Sequence, residues 1–286
     1  YKGRLNFDHG LQYITPQTIG FKKFILDLKK KNVLKIWGNK HLNFSSNKIK
    51  LSKRYIGKRS NNDISKFLLK NIKTNYLKTI KKLVFNKKNW VVTDQQGNKD
   101  VFRNVIITCP YPQVKKLVNK YIKKKLSNLR VKMQPNITVM VVYKNKTPKI
   151  SSFKFNNKIL AFAASENSKK RFVSNLSLWT LQSSLEFSSK YINKYKRKRK
   201  KITNLMIKEF EKILLLKKTN IIYKDIHGWK YSFNYKSTKV KSIWSNKFNL
   251  GVCGDWFLGP KGEHAWISSK DLYSKIILTK KNPLKK

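Results

Sequence analysis

The residues best equipped for chemistry lie toward the C-terminal end, in "GVCGDWFLGPKGEHAWISSKDL", 251 to 272. A short apolar strand, Leu250 to Cys253, runs into Gly254-Asp255; Gly259, Gly262 and Glu263 follow before a helix-like stretch. Glycines close behind a strand end let the backbone amides of a helix start approach an anionic or polyol ligand, and the Asp255 carboxylate can accept bonds from a hydroxyl. The same carboxylate could instead be a plain helix cap or turn former. Both readings stay open on these residues alone. No Ser-His-Asp, Cys-His or metal-ligand spacing is visible in the chain, which leaves nucleophilic and metal-assisted chemistry without support.

The elements that must position this segment follow from apolar period. Phe21, Phe24, Ile25, Leu28, Val33 and Leu34, between Gly20 and Trp37, predict an amphipathic helix of about three turns and then a turn. A second helix is expected from Asp63 to Leu77, with Ile64, Phe67, Leu68 and Ile72 on its inner face. Residues 79–109 read as an antiparallel meander with a turn at Gly97; its last member, Val105 to Thr108, is apolar on both faces and so is expected in a buried sheet. "YPQVKKLVNKYI" predicts a short helix started by prolines. Strand-like runs at 137–143, 159–164 and 176–182, without helices between them, suggest a second sheet. A helix from Ile202 to Leu216 follows, with Leu205, Met206, Phe210, Ile213 and Leu214 at helical spacing, and then a strand through "IIYKDIHGWKYSFNY".

Composition narrows the classes. With 40% hydrophobic residues in 286, the chain can bury a large core despite its net charge of +53. Sixty-six Lys+Arg against 13 Asp+Glu would attract any polyanion, so nucleic acid is the alternative partner. The basic residues are spread along the chain and nearly all are Lys, with Arg only at 4, 54, 59, 103, 130, 171, 197 and 199. Base readers and phosphate clamps favour clustered Arg, and an excess of Lys, Asn and Ile reads more simply as compositional drift. "KYKRKRKK", 194 to 201, reads as a solvated surface. The two cysteines, Cys109 and Cys253, lie far apart and fit a reducing cytoplasm. No apolar run reaches the length of a membrane span, and "YKGRLNFDHG" lacks the apolar core of a signal peptide.

Several segments together carry a resemblance. "CGDWFLGPKGEHAWISSKDL" resembles the C-terminal FAD-binding signature of the renalase-like FAD-dependent oxidoreductases, relatives of the amine oxidases; Gly254, Asp255, Gly259, Glu263, Ala265 and Ser268 match it. "FDHGLQYIT", Phe7 to Thr15, resembles the family's Phe-Asp-His-Gly-Ala-Gln-Tyr-Phe-Thr signature, followed as expected by a helix and Trp37. "RYIGKRSNNDISKFL" resembles the segment that usually reads Tyr-Val-Gly-Xaa-Pro-Gly-Met, and "HGWKYS", 227 to 232, resembles His-Arg-Trp-Arg-Tyr-Ala. "SKKRF" and "LWTLQSSLEFS" also have counterparts, so the resemblance covers essentially the whole chain.

The resemblance implies a mixed α/β fold: a Rossmann-like FAD-binding domain in segments 1–60, 61–125 and 245–286, interleaved with a mixed-sheet substrate domain, 126–244. It implies that Asp255 binds the flavin ribityl chain and that the next helix start faces the pyrophosphate. Ile80 would touch the adenine side, and Thr108 to Pro110 would line the cofactor. Gly10, Gln12 and Tyr13 would lie near the flavin ring and substrate cavity, with Trp229 and Tyr231 on the other wall. The implied reaction is hydride transfer from a carbon next to nitrogen, in an amine or dihydronicotinamide-type substrate, to flavin; molecular oxygen reoxidises it and yields hydrogen peroxide. Such chemistry needs positioning rather than a nucleophile and base. His9 reads more simply as a structural hydrogen bonder, Trp229 has ordinary core as its rival reading, and His264 stands where the family often has Gly and receives no role.

Departures qualify the match. Lys58-Arg59-Ser60 replaces the family's Pro-Gly-Met region, and Gln182 stands where its Trp-Val-Leu-His segment has His. No Gly-x-Gly-x-x-Gly occurs. Since "FDHG" lies just beyond the first βαβ unit in the family, roughly 30 to 50 residues are expected ahead of Tyr1, and Gly3-Arg4 could be the family's Gly-Gly-Arg or lie just after it. A chain without the dinucleotide fingerprint is expected not to hold FAD tightly by itself. The rivals are a basic polyanion-binding protein and a degenerate, cofactor-free relative.

Overall fold

The apolar periods resolve into two separate cores. The computed structural model describes residues 6–38, 40–44, 48–50, 53–144, 147–216 and 220–281, and Gly3-Arg4 lies outside them. It divides the chain into unit 1, Tyr1–Asn71 with Gln134–Ser232, and unit 2, Ile72–Met133 with Phe233–Lys286. In chain order the elements begin with α1 (Ile19–Lys30), β1 (Leu34–Trp37), β2 (His41–Asn43), β3 (Lys48–Lys50), β4 (Arg54–Gly57) and α2 (Asn62–Leu68). Then come β5 (Ile80–Asn86), β6 (Asn89–Asp94), β7 (Lys99–Phe102), β8 (Val105–Ile107) and α3 (Tyr111–Ser127). The chain continues with β9 (Gln134–Tyr143), β10 (Ser152–Lys154), β11 (Leu160–Ser165), β12 (Ser177–Ser183), α4 (Leu185–Tyr191) and α5 (Arg199–Ile213). It ends with β13 (Ile221–Phe233), β14 (Ile243–Ser245), β15 (Leu250–Val252) and α6 (Gly262–Lys281). The architecture is mixed α/β.

Unit 1 is built on a seven-stranded mixed sheet in the order β13-β9-β12-β11-β10-β2-β3. β9 is buried from Asn136 through Tyr143, so its run of Val and Ile packs on both faces. α5 covers the sheet with Ile202, Met206 and Phe210, spaced four apart, against Trp179, Phe153 and Leu181. Residues 1–60, expected with 61–125 and 245–286, group instead with 134–232. The reason is strand pairing: β2 lies parallel to β10, with His41 opposite Ser152, and so takes this segment into the larger sheet. The stretch after α1 is a strand rather than a bare turn, because β1 pairs antiparallel with β4. α2 is shorter than the expected helix over 63–77, and its expected inner positions Phe67 and Leu68, with Ile72 beyond its end, are exposed. There the apolar spacing does not report a buried face.

Unit 2 holds two three-stranded sheets, β5-β6-β7 and β14-β15-β8. α3 starts with Pro112 in its first turn, where a missing N–H costs nothing, and buries Val114, Val118, Ile122 and Leu126 at successive i, i+4 positions. Tyr121 Oη accepts from the Phe85 amide at 2.9 Å and donates to the Leu83 carbonyl at 3.4 Å, fastening α3 to β5. β8 is not a fourth meander strand. It runs parallel to β15 on the edge of the other sheet, which leaves Ile106 53% exposed where burial on both faces was expected.

The hairpin joining β5 to β6 is closed by Lys87 and Lys88, with φ of 42° and 65°. Two positive φ values define the turn that fits strand twist, but lysine is a poor occupant because its Cβ crowds the backbone there. Replacing Lys87-Lys88 by Asn-Gly should therefore stabilise the protein by about 1 kcal/mol. The check is a chemical denaturation midpoint that rises while the slope stays constant.

Candidate functional site

All eight residues assigned to cofactor contact fall in unit 2, and all five assigned to a substrate cavity fall in unit 1. In unit 2 the buried strand β15 ends at Val252; Cys253 and Gly254 follow, and Asp255–Phe257 form a single 3-10 turn. Trp256 Nε1 donates to the Cys109 carbonyl at 3.2 Å, and the Cys253 amide donates to the Ile107 carbonyl at 3.1 Å. These bonds bring the Thr108 to Pro110 segment beside the Gly254-Asp255 turn. Ser268, buried on α6, accepts from the Gly254 amide at 3.0 Å and donates to the Lys241 carbonyl at 2.6 Å, so the helix is latched to the strand end. The carbonyl of Asp255 accepts from the amides of Leu258 and Gly259 at 2.9 and 2.8 Å.

Two features single this turn out. Burial pushes the Asp255 carboxyl up, against the opposing pull of the Trp256 amide and His264. Gly259 has φ of 133°, and a Cβ there would sit 3.1 Å from His264 Nδ1, a buried nitrogen with no hydrogen-bond partner among the described residues. His264, given no role from sequence, is thus the residue that composition and motif reasoning missed; its spacing from Gly259 was the available signal. Glu263 is buried in the first turn of α6, where a carboxylate suits the helix dipole, whereas Ala265 is exposed. Ile80 stands on a different sheet, opposite Asp94.

In unit 1 the predicted residues separate into two environments. Trp229 Nε1 donates to the His9 carbonyl at 3.1 Å, and a Cβ on Gly10 would lie 3.5 Å from the Trp229 ring, so Gly10 and Trp229 are neighbours. The rings of His9 and His227 complete the group, with centroids 5.4 and 4.4 Å from that of Trp229. Tyr231 follows on the same side of β13. Gln182, in the position of the family's histidine, donates to the Gly10 carbonyl at 3.0 Å. Burial, His9 and Arg199 hold the His227 imidazole below its ordinary range against the opposing effect of Asp225, so it stays neutral near pH 7. Tyr13 instead packs beside Trp37 and Phe162, under the Arg54 guanidinium 4.1 Å from its centroid.

Gln12 belongs to a buried ionic network. Its side chain donates to the Asp8 carbonyl and accepts from Lys169 Nζ at 3.2 Å. Lys169, 1% exposed, lies 2.8 Å from the Asp8 carboxylate and 2.9 Å from Glu166, which also accepts from the Thr180 hydroxyl at 2.6 Å. Arg171 pairs with Asp8 and donates to the Gly57 carbonyl at 2.9 and 3.1 Å. Burial drives the Glu166 carboxyl up; Lys169 opposes it, Asp8 adds a smaller push upward, and burial prevails. Burial pushes Asp8 the same way, but Lys169 and Arg171 together outweigh it and hold that carboxyl below its usual range.

Beside Tyr13, His41 Nδ1 lies 2.9 Å from the Ser152 hydroxyl, which also accepts from Arg54 at 2.9 Å. Burial first, then Arg54, takes the imidazole down to about 4. Cys109 and Cys253 are free thiols that burial pushes up, so neither is poised as a thiolate. Among the described residues no helix is long and apolar enough to cross a membrane, and no three His, Cys, Asp or Glu side chains group as metal ligands.

No family model matches the sequence. The fold does have solved counterparts. A protoporphyrinogen oxidase-like protein of Exiguobacterium sp. 255-15 superposes with a TM-score of 0.58 over 79% of this chain, at 9% identity. The tetracycline destructase Tet(51) superposes with a TM-score of 0.51 over 94% of this chain and 75% of its own, also at 9% identity. The mixed α/β fold is shared with these two proteins. At this identity the likeness shows the fold alone, and the chain spans about half, 52%, of the first of these proteins.

Two outcomes follow from unit 1. Lys169→Met leaves Glu166 and Asp8 short of a cation and should cost about 3–5 kcal/mol; adding Glu166→Gln should recover a large part, as read from urea unfolding of the single and double variants. For His41, the unfolded imidazole binds a proton near 6.5 and the folded one only near 4, so stability is full above that window and falls as pH drops through it. The wild type should lose about 1–2 kcal/mol more than His41→Gln between pH 6.5 and roughly 5. Equal losses in the two proteins would show that the imidazole titrates normally.

Proposed function

We propose that the chain acts in a renalase-like FAD-dependent oxidoreductase that oxidises a carbon next to nitrogen, in an amine or dihydronicotinamide-type substrate. The observation that carries the reading is the turn at the end of β15. A partly buried carboxylate, glycines at 254 and 259, and an imidazole nitrogen with no partner among the described residues lie where this turn meets the start of α6. That donor and acceptor set suits a chain of hydroxyls such as the ribityl chain of a flavin. Asp255 would accept from those hydroxyls, the missing Cβ at Gly259 makes room for the His264 ring, and His264 Nδ1 would supply a further hydrogen bond. With Asp255 and Glu263 both acidic, the set favours hydroxyl binding over bare charge attraction.

FAD, when bound, accepts a hydride from the substrate carbon and passes two electrons to molecular oxygen, giving hydrogen peroxide. The chain's own part is to bind, orient and keep water away. Trp229, Tyr231 and Gly10 offer a flat face with little side-chain bulk, and the neutral His227 beside them repels neither an amine nor a dihydropyridine ring. The absence of Ser-His-Asp and Cys-His spacing from the sequence accords with a reaction that asks the protein for positioning rather than nucleophilic attack.

The test uses protein purified from its complete coding sequence. Stoichiometric flavin absorbance is expected, with Asp255→Asn and His264→Leu each weakening flavin retention by at least about tenfold while the far-ultraviolet circular dichroism is unchanged. Bleaching of the flavin by a dihydronicotinamide or amine, with peroxide formed in air, would then identify the substrate class. A folded, colourless protein that gains no flavin on incubation with FAD would favour a degenerate, cofactor-free relative.

A further inference from the structure

A second place in unit 1 is built to take a ligand: a cavity of about 480 Å³ between the end of α1 and the loop from β4 to α2. Its apolar side is Val33 and the half-exposed Phe67 ring. Its polar side is Asn32 with three cationic side chains, Lys58, Arg59 and Lys66. One carboxylate, Asp63, also lines it, accepting from the Arg59 and Ser60 amides at 2.7 and 3.2 Å and lying 4.0 Å from Arg59 Nε. Lys58 and Arg59 belong to the Lys58-Arg59-Ser60 departure from the family's Pro-Gly-Met segment, a feature that the flavin reading does not use.

Two things distinguish this cleft from the lysine surface found all over the chain. Both walls are fixed before any ligand arrives. α1 ends with Asn32 at φ 59°, its amide on the Lys29 carbonyl at 3.0 Å and that of Val33 on Leu28 at 2.9 Å, a left-handed helix stop that turns Val33 inward. The Lys58 amide then donates to the Val33 carbonyl at 2.9 Å, joining one wall to the other. The second wall folds back so tightly that a Cβ on Gly57 would sit 1.8 Å from the Ser60 carbonyl oxygen. Asn61 holds that loop from both ends, bonding the Gly57 amide at 2.9 Å and the Asp8 carboxylate at 3.1 Å, so the buried ionic network anchors it.

The other distinction is the pairing of charge with a flat apolar surface. Lys31 Nζ lies over the Phe67 ring, 5.8 Å from its centroid, and Val33 continues the apolar side. Positive potential is also in surplus: burial, then Arg171, Lys58 and Lys170, hold the nearby Lys35 ammonium below its ordinary range.

We propose that this cleft binds a small anion carrying a flat ring, of the mononucleotide class, with the ring against Phe67 and Val33 and the phosphate between Lys58 and Arg59. The volume is within the range of small-molecule sites, and preformed walls spare the ligand the cost of ordering them. The Arg59 fork and the Lys58 ammonium supply the charge-assisted bonds that a phosphate takes.

Calorimetric titration of the purified chain with adenosine monophosphate, inorganic phosphate and adenosine, at physiological ionic strength, decides it. The monophosphate should bind at least about tenfold tighter than either part alone. Lys58→Gln with Arg59→Gln should weaken it by about tenfold or more, whereas Lys200→Gln with Lys201→Gln, in the basic tract on α5, should leave it unchanged. Phe67→Ala should weaken the monophosphate and leave phosphate as it was. A monophosphate that binds no better than phosphate, or that both lysine-containing pairs weaken equally, would reduce the cleft to general attraction by a basic surface and overturn the proposal. So would no binding by a wild type whose thermal melt is cooperative.

Discussion

Unit 1 depends on the buried contact between Lys169 and the two carboxylates of Asp8 and Glu166. Removing an ammonium from water costs several kcal/mol, and the attraction to two carboxylates within 3 Å must return it. The contact ties together three distant parts of the chain. Asp8 comes from the segment ahead of α1, Glu166 and Lys169 from the turn after β11, and Arg171 extends the network to Gly57 and Asn61 at the end of β4. The aromatic group at His9 and Trp229 sits one residue from Asp8, and the cationic cleft sits on the loop that Asn61 holds. Two candidate sites in this unit therefore share one ionic anchor, and a change that loosens it would reach both.

Unit 2 is organised differently. Its candidate turn rests on apolar packing and backbone bonds: Trp256 and Phe257 are buried in the core with Val114, Val118 and Val252, and the indole N–H closes onto the Cys109 carbonyl. A turn positioned by packing is stiff, since displacing it would open a cavity or strip a buried donor. This accounts for how Asp255 can be held in a setting that raises its pKa without an ion pair to fix it. His264 Nδ1, at the start of α6, has no partner among the described residues.

Legibility in the sequence tracked local pattern. α5, α3 and the strands of the large sheet were readable because their apolar spacing matches a single buried face, as with Ile202, Met206 and Phe210. The turn after β15 was readable as a turn, because Gly254, Asp255 and Gly259 directly follow a short apolar run. What could not be read was long-range. Lys169 is one lysine among dozens, and nothing local marks it as the buried one; only pairing across 161 residues with Asp8 does so. The grouping of residues 1–60 with 134–232 rests on a parallel β2 and β10 pairing for which no sequence period exists. Phe67, at helical spacing like a core residue, is part of the floor of a cleft instead, and its spacing alone could not separate the two.

The charge balance gives the last step. Lysine side chains reach water from almost any surface position, so a chain can carry a large positive excess with little structural consequence so long as the excess stays outside. Acids are few here, 13 in all, and five of them are buried: Asp8, Asp63, Asp94, Glu166 and Glu263. Four have plain structural partners. Asp8 and Glu166 share Lys169, Asp63 accepts the amides of the β4–α2 loop, and Asp94 closes the β6–β7 turn through the Gln96 and Asn98 amides at 2.9 and 3.0 Å. Glu263, itself engaged in a contact within the fold, opens α6, and Asp255 is partly buried in the turn before it. A neutral polyol would find acceptors there that a competing polyanion would not, and such a turn sorts its ligand by hydrogen bonding rather than by charge. The cleft over Phe67 has the reverse chemistry, with one acid, held by backbone amides and close to Arg59, among three lining cations. The distribution of a few carboxylates, more than that of the many lysines, sets what each site can hold.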